Sequence, residues 1–227
     1  MSGFPRITLA WNPAWRVIPT RFPPINLFDR VASSDDFDAL YALEAMTNDR
    51  LRDEVGDIRM VAPEDRIFGP GSGPIMAAFT HRNPLGSRFS DGSYGVFYCA
   101  QEKPTAIAET RHHSSRFLAA TAEAPIRLMM RLYAVAVAGE AADLRAAAGS
   151  EPRLVDPDDD RYAQGVGAAL RAQGEHGIVY PSVRHAGGTC LAALSPRLLK
   201  SCQHAAYLEY HWDGSTIAAV YELSQVG

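Results

Sequence analysis

One stretch of the chain alternates strictly between two kinds of side chain and constrains the fold more than any other. Between Ile126 and Val137, isoleucine, leucine and methionine alternate with arginine, methionine and tyrosine. Because successive side chains of a strand point to opposite sides, this period predicts a long strand with one buried face. A strand of this kind packs one face against the core, so the fold must contain a sheet with a covered face.

Helices and shorter strands are predicted around this long strand. Three helices are signalled at their ends. Capping serines precede Phe37, and Pro104 suits the first turn of a second helix. An acidic run precedes a third helix, which is expected to end at Gly174. The predicted helices cover about residues 33–48, 104–118 and 159–173, and the predicted strands cover about 75–79, 95–100, 126–137, 177–180 and 189–193. Asp213-Gly214 predicts a C-terminal hairpin over about 204–223. We therefore expect a single compact α+β domain over residues 1–227, with mixed or antiparallel sheets flanked by helices.

Composition narrows the classes of partner. The chain has 227 residues, of which 47% are hydrophobic and 21% charged, as is typical of a soluble globular domain. Its formal net charge is -4 and its pI is near 6.0, so no overall positive field attracts nucleic acid or an anionic membrane. We expect a small molecule or a protein as partner, with no direct binding of nucleic acid or membrane.

Cysteine and histidine spacing argues against metal and disulfides. The three cysteines are widely separated and form no CxxC motif, and the seven histidines form no HExxH motif. The first residues also lack a basic segment followed by an apolar run. The sequence predicts no bound metal and a cytoplasmic protein in a reducing compartment.

Common nucleotide-binding loops are missing as well. Residues 69–74, GPGSGP, lack the Gly-Lys-Ser/Thr ending of a phosphate loop, and they are predicted to form a turn. No GxGxxG motif joins a strand to a helix, so a Rossmann-type dinucleotide site is not expected.

Several polar residues follow turns and strands where a site could form. Arg88 lies in a Gly/Ser/Asp-rich loop and could grip a phosphate, or it could be an ordinary loop arginine. Tyr98 ends a strand and could offer its hydroxyl to a ligand, or it could be a core tyrosine. Ser182 follows Pro181 and could bind ribose or phosphate, or it could be a turn serine.

Glu109 has the most suggestive surroundings. It lies in the second predicted turn of a helix and follows Ala106, Ile107 and Ala108, so its carboxylate could face the sheet. There it could stabilise positive charge at a sugar's anomeric carbon as a glycosidic bond breaks. The alternative is a helix-surface glutamate that pairs with His113.

Taken together, these segments resemble the RES domain, the toxin half of bacterial RES-Xre toxin–antitoxin pairs. The most specific part is the spacing from Arg88 to Tyr98 to Glu109. The matching segments are Trp15-Arg16-Val17, Gly86-Ser87-Arg88-Phe89, Val96-Phe97-Tyr98, Ala106-Ile107-Ala108-Glu109 and Tyr180-Pro181-Ser182.

The resemblance implies a fold, an activity and a partner. The fold would be similar to ADP-ribosyltransferases, and the activity would be breakdown of NAD+ at the nicotinamide–ribose bond by hydrolysis or phosphorolysis. NAD+ would be a substrate, with no prosthetic group, and an Xre-like antitoxin would be the protein partner. Two alternatives stay open, namely transfer of ADP-ribose to a protein and a non-enzymatic binding module that retains the fold.

The resemblance also implies site residues. Glu109, Arg88 and Tyr98 would form the catalytic set, and Arg16, Arg88, Tyr98 and Ser182 would contact NAD+. Two features depart from the family pattern. An insertion over about residues 20–75 separates Arg16 from Arg88, and Phe89 stands where the family usually has tryptophan.

Overall fold

A mixed sheet is the framework of the molecule. The computed structural model describes residues 3–22, 27–45, 55–81 and 83–224. In those residues the strands are β1 Arg6–Pro19, β2 Phe97–Ala100, β3 Ile126–Asp143, β4 Gly177–Pro181, β5 Thr189–Ala193, β6 Leu199–Trp212 and β7 Ile217–Leu223. They form a 7-stranded sheet in the order β1-β2-β5-β4-β3-β6-β7.

The longest strand organises this sheet. β3 pairs antiparallel with β1 and β6 along most of its length, and its last residues pair in parallel with β4. Because β1 also pairs with β2, the strands β1, β2, β5, β4 and β3 close into a ring. The short strands β2, β4 and β5 are thereby held against the long ones.

Helices cover the sheet on both faces. The α-helices of the described residues are α1 Ser34–Ala45, α2 Gly73–Thr80, α3 Lys103–Ala120, α4 Arg145–Ser150 and α5 Arg161–Ala172. Short 3-10 helices lie at Phe28–Arg30, Ile58–Met60, Pro63–Asp65, Pro152–Val155 and Pro196–Leu198. No helix in this part of the chain is both long and apolar enough to cross a membrane.

Two hydrophobic clusters show which helices cover which face. In β2, Phe97 and Cys99 belong to one cluster with residues of α1 and α2, whereas Ala100 and the half-buried Tyr98 belong to the other with residues of α3 and α5. This is the alternation expected along a strand. We name the two surfaces the α1–α2 face and the α3–α5 face.

Most predicted elements are confirmed, and so is the α+β class. The long alternating stretch is a strand that continues to Asp143, the two helices predicted after residue 100 are α3 and α5, and Gly214 turns the C-terminal hairpin with a φ of 100°. Residues 46–48 of the first predicted helix lie outside the described residues. Whether residues 20–75 are an insertion stays a prediction.

The predicted strand over residues 75–79 is wrong, because this segment belongs to α2. Its residues Ile75, Met76 and Phe79 are all buried, so they show no alternation. A short, wholly apolar run does not distinguish a strand from a buried helix. Pro74, in the first turn of α2, was the helix signal.

Candidate active site

The position of α3 determines where Glu109 points. Thr110 Oγ1 lies 2.8 Å from the Tyr210 hydroxyl, and Arg111 Nε donates to the Ile217 carbonyl at 2.7 Å. These contacts fix the helix against β6 and β7. Ala106 is buried against the sheet, and Glu109 lies three residues further on the same side of the helix. The carboxylate is consequently directed towards the α3–α5 face.

The Glu109 carboxylate is held by several donors. Ser182 Oγ donates to Glu109 Oε1 at 2.6 Å, and the backbone N–H of Val183 donates to the same oxygen at 3.2 Å. The thiol of Cys190 lies 3.9 Å from this oxygen. Glu109 Oε2 is 4.0 Å from His113 Nε2, so the helix pairing is present as one contact among several. The side chain is 20% exposed, which leaves it reachable from solvent.

Ser182 is itself fixed by a tight loop after β4. Its backbone N–H donates to the Gly188 carbonyl at 2.8 Å, and its Oγ accepts from the backbone N–H groups of Arg184 and His185 at 3.2 and 3.0 Å. With both lone pairs engaged, the hydroxyl proton is directed to Glu109. The loop therefore positions the carboxylate through one oriented hydroxyl.

Arg88 lies in the loop before β2 and is largely covered. Its Nη1 donates to the Asp156 carbonyl at 2.9 Å and lies 3.3 Å from Asp160 Oδ1. Its side chain is 13% exposed, whereas that of Asp160 is 37% exposed. The guanidinium thus faces oxygen atoms at the entrance to α5.

Tyr98 holds the loop that carries Arg88. Its hydroxyl donates to Ser87 Oγ at 2.9 Å and accepts the backbone N–H of Phe89 at 3.0 Å. Burial raises the pKa of Tyr98 to about 12, so the phenol stays protonated at neutral pH. The two residues bonded to this hydroxyl are the immediate neighbours of Arg88.

Helix α5 packs closely against the same loop. A Cβ at Gly167 would lie 2.2 Å from the Phe89 carbonyl oxygen, so only glycine permits this approach. Gln164 Nε2 donates to the Ser87 carbonyl at 3.1 Å. The loop is therefore braced by α5 on one side and by Tyr98 on the other.

Tyr180 connects the Arg88 and Glu109 parts of the cluster. Its ring meets that of Phe89 edge to face, with centroids 4.9 Å apart. Burial, together with the charge of Glu109, raises the pKa of Tyr180 well above its usual value, and the charge of Arg88 opposes this rise. Through Phe89, Tyr180 thus packs against the loop that carries Arg88, and it lies two residues before Ser182, which bonds to Glu109.

Arg16 lies on the other side of the sheet. It pairs across β1 and β3 with Tyr133, its guanidinium is stacked 4.3 Å from the centroid of Phe97, and its Nη1 donates to the Tyr98 carbonyl at 2.7 Å. Burial lowers the pKa of Arg16, and its Nε is buried with no hydrogen-bond partner. Arg16 therefore belongs to the α1–α2 face and reaches the α3–α5 face only through a backbone carbonyl.

An irregularity in β1 explains this placement. Trp11 pairs with Val137 and Ala14 with Val135, so β1 contains one residue more than β3 between these pairs. Such a bulge reverses which residues face each side from that point on. If β1 alternated without this irregularity, Arg16 would face the side opposite to Leu9 and Trp11.

The structure thus brings Glu109, Ser182, Arg88 and Tyr98 to one face and leaves Arg16 on the other. Sequence reasoning had not identified Tyr180 and Asp160, which join this cluster. Tyr180 immediately precedes the Pro-Ser turn, and Asp160 ends the acidic run that predicted the start of a helix, so neither had been given a role in the site. No group of three potential metal ligands occurs among the described residues.

Most of the chain matches the model of one known family. The model of the RES domain family matches residues 63–213, more than half of the chain. The chain belongs to the RES domain family. The matched range contains Arg88, Tyr98, Glu109 and Ser182, and it begins after Arg16.

Two individual proteins are similar over most of the chain. The uncharacterized protein y4oC of Sinorhizobium fredii is 30% identical over 215 residues, which cover 94% of this chain and 88% of the relative. A crystal structure of the M. tuberculosis MbcT-MbcA toxin–antitoxin complex contains a chain that is 16% identical, with a TM-score of 0.44, over 91% of this chain and 87% of that one. A structural likeness at this level assigns neither substrate nor partner to the present chain.

Proposed function

We propose that the chain is the toxin of a type II toxin–antitoxin pair and degrades NAD+ by breaking the nicotinamide–ribose bond. Membership of the RES domain family supports this class of protein. The observation that carries the proposal is the Glu109 carboxylate. The Ser182 hydroxyl and the Val183 amide hold it on the same face as Arg88.

The chemistry required of the protein is modest. When the bond breaks, nicotinamide leaves as a neutral molecule with the bonding electron pair, and positive charge develops on the ribose carbon. A fixed carboxylate stabilises that charge because it needs no reorganisation during the reaction. Water or phosphate then adds to the carbon and gives ADP-ribose or its phosphate ester, with the proton of water passing to solvent.

The other residues of the cluster would hold and orient the substrate. Arg88 would bind the diphosphate of NAD+ through charged hydrogen bonds. Tyr98 would fix the Arg88 loop, because its hydroxyl is already engaged by Ser87 and Phe89. Ser182 would orient Glu109. Arg16 has a structural part in this proposal, since its side chain lies on the opposite face.

The direct test is to identify the products that the purified protein forms from NAD+ by mass spectrometry. Wild-type protein should release nicotinamide, and Glu109→Gln should lower the rate about 100- to 1,000-fold, as expected for loss of one electrostatic stabiliser. Glu64→Gln is a matched control, because Glu64 is exposed on a 3-10 helix. Undiminished release by Glu109→Gln would contradict the proposal.

The second product decides between related reactions. Free ADP-ribose indicates hydrolysis, its phosphate ester indicates phosphorolysis, and label from NAD+ that becomes bound to protein indicates ADP-ribosyl transfer. If wild-type protein leaves NAD+ intact, the chain is better explained as a binding module that retains the fold.

The proposal also includes a partner and a compartment. An Xre-like antitoxin would neutralise the protein, and the toxin would act in the cytoplasm. Its three cysteines are all free and buried thiols, which suits a reducing compartment. Expression of the chain alone should deplete cellular NAD+, and co-expression of the antitoxin should prevent this. Unchanged NAD+ in cells that accumulate folded protein would contradict the toxin assignment.

A further inference from the structure

One short segment contacts two arginines that come from different loops of the candidate site. Residues 156–160, the segment that leads into α5, supply the Asp156 carbonyl and the Asp160 carboxylate to Arg88. The Pro157 carbonyl accepts from Arg184 Nη2 at 2.6 Å. Because Asp156 and Pro157 are adjacent, the two guanidinium groups bind consecutive peptide carbonyls of one short segment.

Both arginines are attached to the network that holds the candidate catalytic residues. The backbone N–H of Arg184 donates to Ser182 Oγ, the atom that also donates its proton to Glu109. Arg88 lies between the two residues that bond to the Tyr98 hydroxyl. The two arginines are therefore carried by loops that are anchored to Ser182 and to Tyr98, although these loops are distant in sequence.

We propose that Arg88 and Arg184 together bind the diphosphate of the dinucleotide. We call these two arginines the two-arginine clamp, and residues 156–160 contact it when no dinucleotide is bound. The identity of the dinucleotide rests on the proposed function. Backbone carbonyls are neutral acceptors, whereas a diphosphate offers charged oxygens that bind guanidinium groups bidentately. A diphosphate would therefore displace the segment, and Asp160 would compete with it by charge.

The surroundings of Arg184 provide space for the rest of such a ligand. Arg184 lines a groove of about 660 Å³ between α3 and β7, whose apolar wall includes Ile107, Ala108 and Val220. Grooves of this size are typical of small-molecule sites. Glu109 follows Ala108 in the helix but is not among the residues that line the groove. A dinucleotide held at its diphosphate by the clamp would have Glu109 on one side and this groove on the other.

The test measures binding of ADP-ribose to the Glu109→Gln protein by calorimetry, since ADP-ribose has no nicotinamide–ribose bond that could be cleaved during the titration. Arg184→Met should weaken binding about 10- to 100-fold, because a hydrogen bond to a charged group contributes about 1.5–3 kcal/mol and 1.4 kcal/mol is tenfold. Arg153→Met is the matched control, since Arg153 is 64% exposed and pairs with Glu151 nearby. It should bind ADP-ribose as tightly as the parent.

A second variant tests the competing segment and does not depend on the folding of Arg184→Met. Asp160→Asn removes the charge that faces Arg88, so it should tighten ADP-ribose binding severalfold at low salt. Unchanged binding by Arg184→Met with intact fold, or weaker binding by Asp160→Asn, would overturn the proposal.

These results are separable from those for NAD+ cleavage. If wild-type protein releases no nicotinamide but ADP-ribose binding depends on Arg184, the clamp stands and the proposed cleavage fails. If nicotinamide is released and ADP-ribose binds Arg184→Met as it binds the parent, the cleavage stands and the clamp fails.

Discussion

The two faces of the sheet differ in the hydrogen bonding and accessibility of their polar side chains. On the α3–α5 face, Glu109 and Ser182 bond to each other and to backbone amides, and they remain partly accessible. On the α1–α2 face, Arg16 makes one hydrogen bond and has Cys99, Cys202 and Tyr133 as its neighbours. A network of oriented donors around an accessible carboxylate can act on a ligand. The Arg16 guanidinium, which contacts one carbonyl and one aromatic ring, has a structural role instead.

The largest effect should be a loss of unfolding free energy when the pH is raised, which tests whether the thiols of the α1–α2 face are shielded from solvent. Burial raises the pKa of Cys99 and of Cys202 to about 12, while an unfolded thiol ionises near ~8.5. The folded protein therefore keeps these protons and the unfolded chain loses them. The stabilisation is complete below about pH 8.5 and is lost as the pH rises towards 12, by about 2 kcal/mol per thiol at pH 10.

The measurement is urea unfolding at pH 7 and pH 10. The double variant Cys99→Ala/Cys202→Ala should lose less stability between these pH values than the wild type. An equal loss in both proteins would show that the two thiols are not shielded from solvent.

Ser182→Ala tests the network on the α3–α5 face. It removes the donor to Glu109 Oε1, so kcat for nicotinamide release should fall about 10- to 100-fold, the value of one hydrogen bond to a charged group. Ser150→Ala is a control, because the exposed Ser150 hydroxyl bonds only locally to the Ala147 carbonyl. Full activity of Ser182→Ala would mean that Glu109 needs no orienting group.

Tyr98→Phe asks whether the Tyr98 hydroxyl positions the Arg88 loop. The change leaves the Phe89 amide without its acceptor, which should cost about 1–3 kcal/mol of unfolding free energy and raise KM for NAD+. Thermal unfolding and steady-state kinetics check both effects. Tyr162→Phe, at a side chain that is 38% exposed, should change neither. A stable variant with unaltered KM would show that the Tyr98 hydroxyl does not position the Arg88 loop.

Arg16→Met should have the smallest effect and is the sharpest test of the contrast between the faces. Methionine retains the apolar stem over Phe97 and removes a buried charge, so stability should change by less than about 1 kcal/mol. Nicotinamide release per folded molecule should stay the same. Loss of release in a folded variant would restore the diphosphate-binding role that the family resemblance implies for Arg16.

The elements predicted correctly are those whose signals are local. The alternation in β3, the proline in the first turn of α3 and the Asp213-Gly214 turn each determine structure within a few residues. The prediction for the segment of α2 was wrong because its apolar run shows neither the period of a strand nor that of a helix. The sequence left open whether Glu109 faces the sheet or the helix surface, and the burial of Ala106 on the same side of the helix decides for the sheet.

The rest of the site depends on contacts between distant segments. The face of Arg16 depends on one extra residue in β1, for which the sequence analysis identified no signal. Asp160 reaches Arg88 because α5 packs on the Phe89 backbone at Gly167, a contact between residues far apart in the chain. Periodicity describes single elements, so it cannot indicate which loops will meet.

A dinucleotide is expected to bind on the α3–α5 face. Hydrogen–deuterium exchange of the Glu109→Gln protein, with and without saturating NAD+, tests both faces at once. We expect slower exchange in residues 86–98 and 182–188, with no change in residues 69–75 of the α1–α2 face. Protection confined to residues 69–75 and to β1 around Arg16 would contradict it.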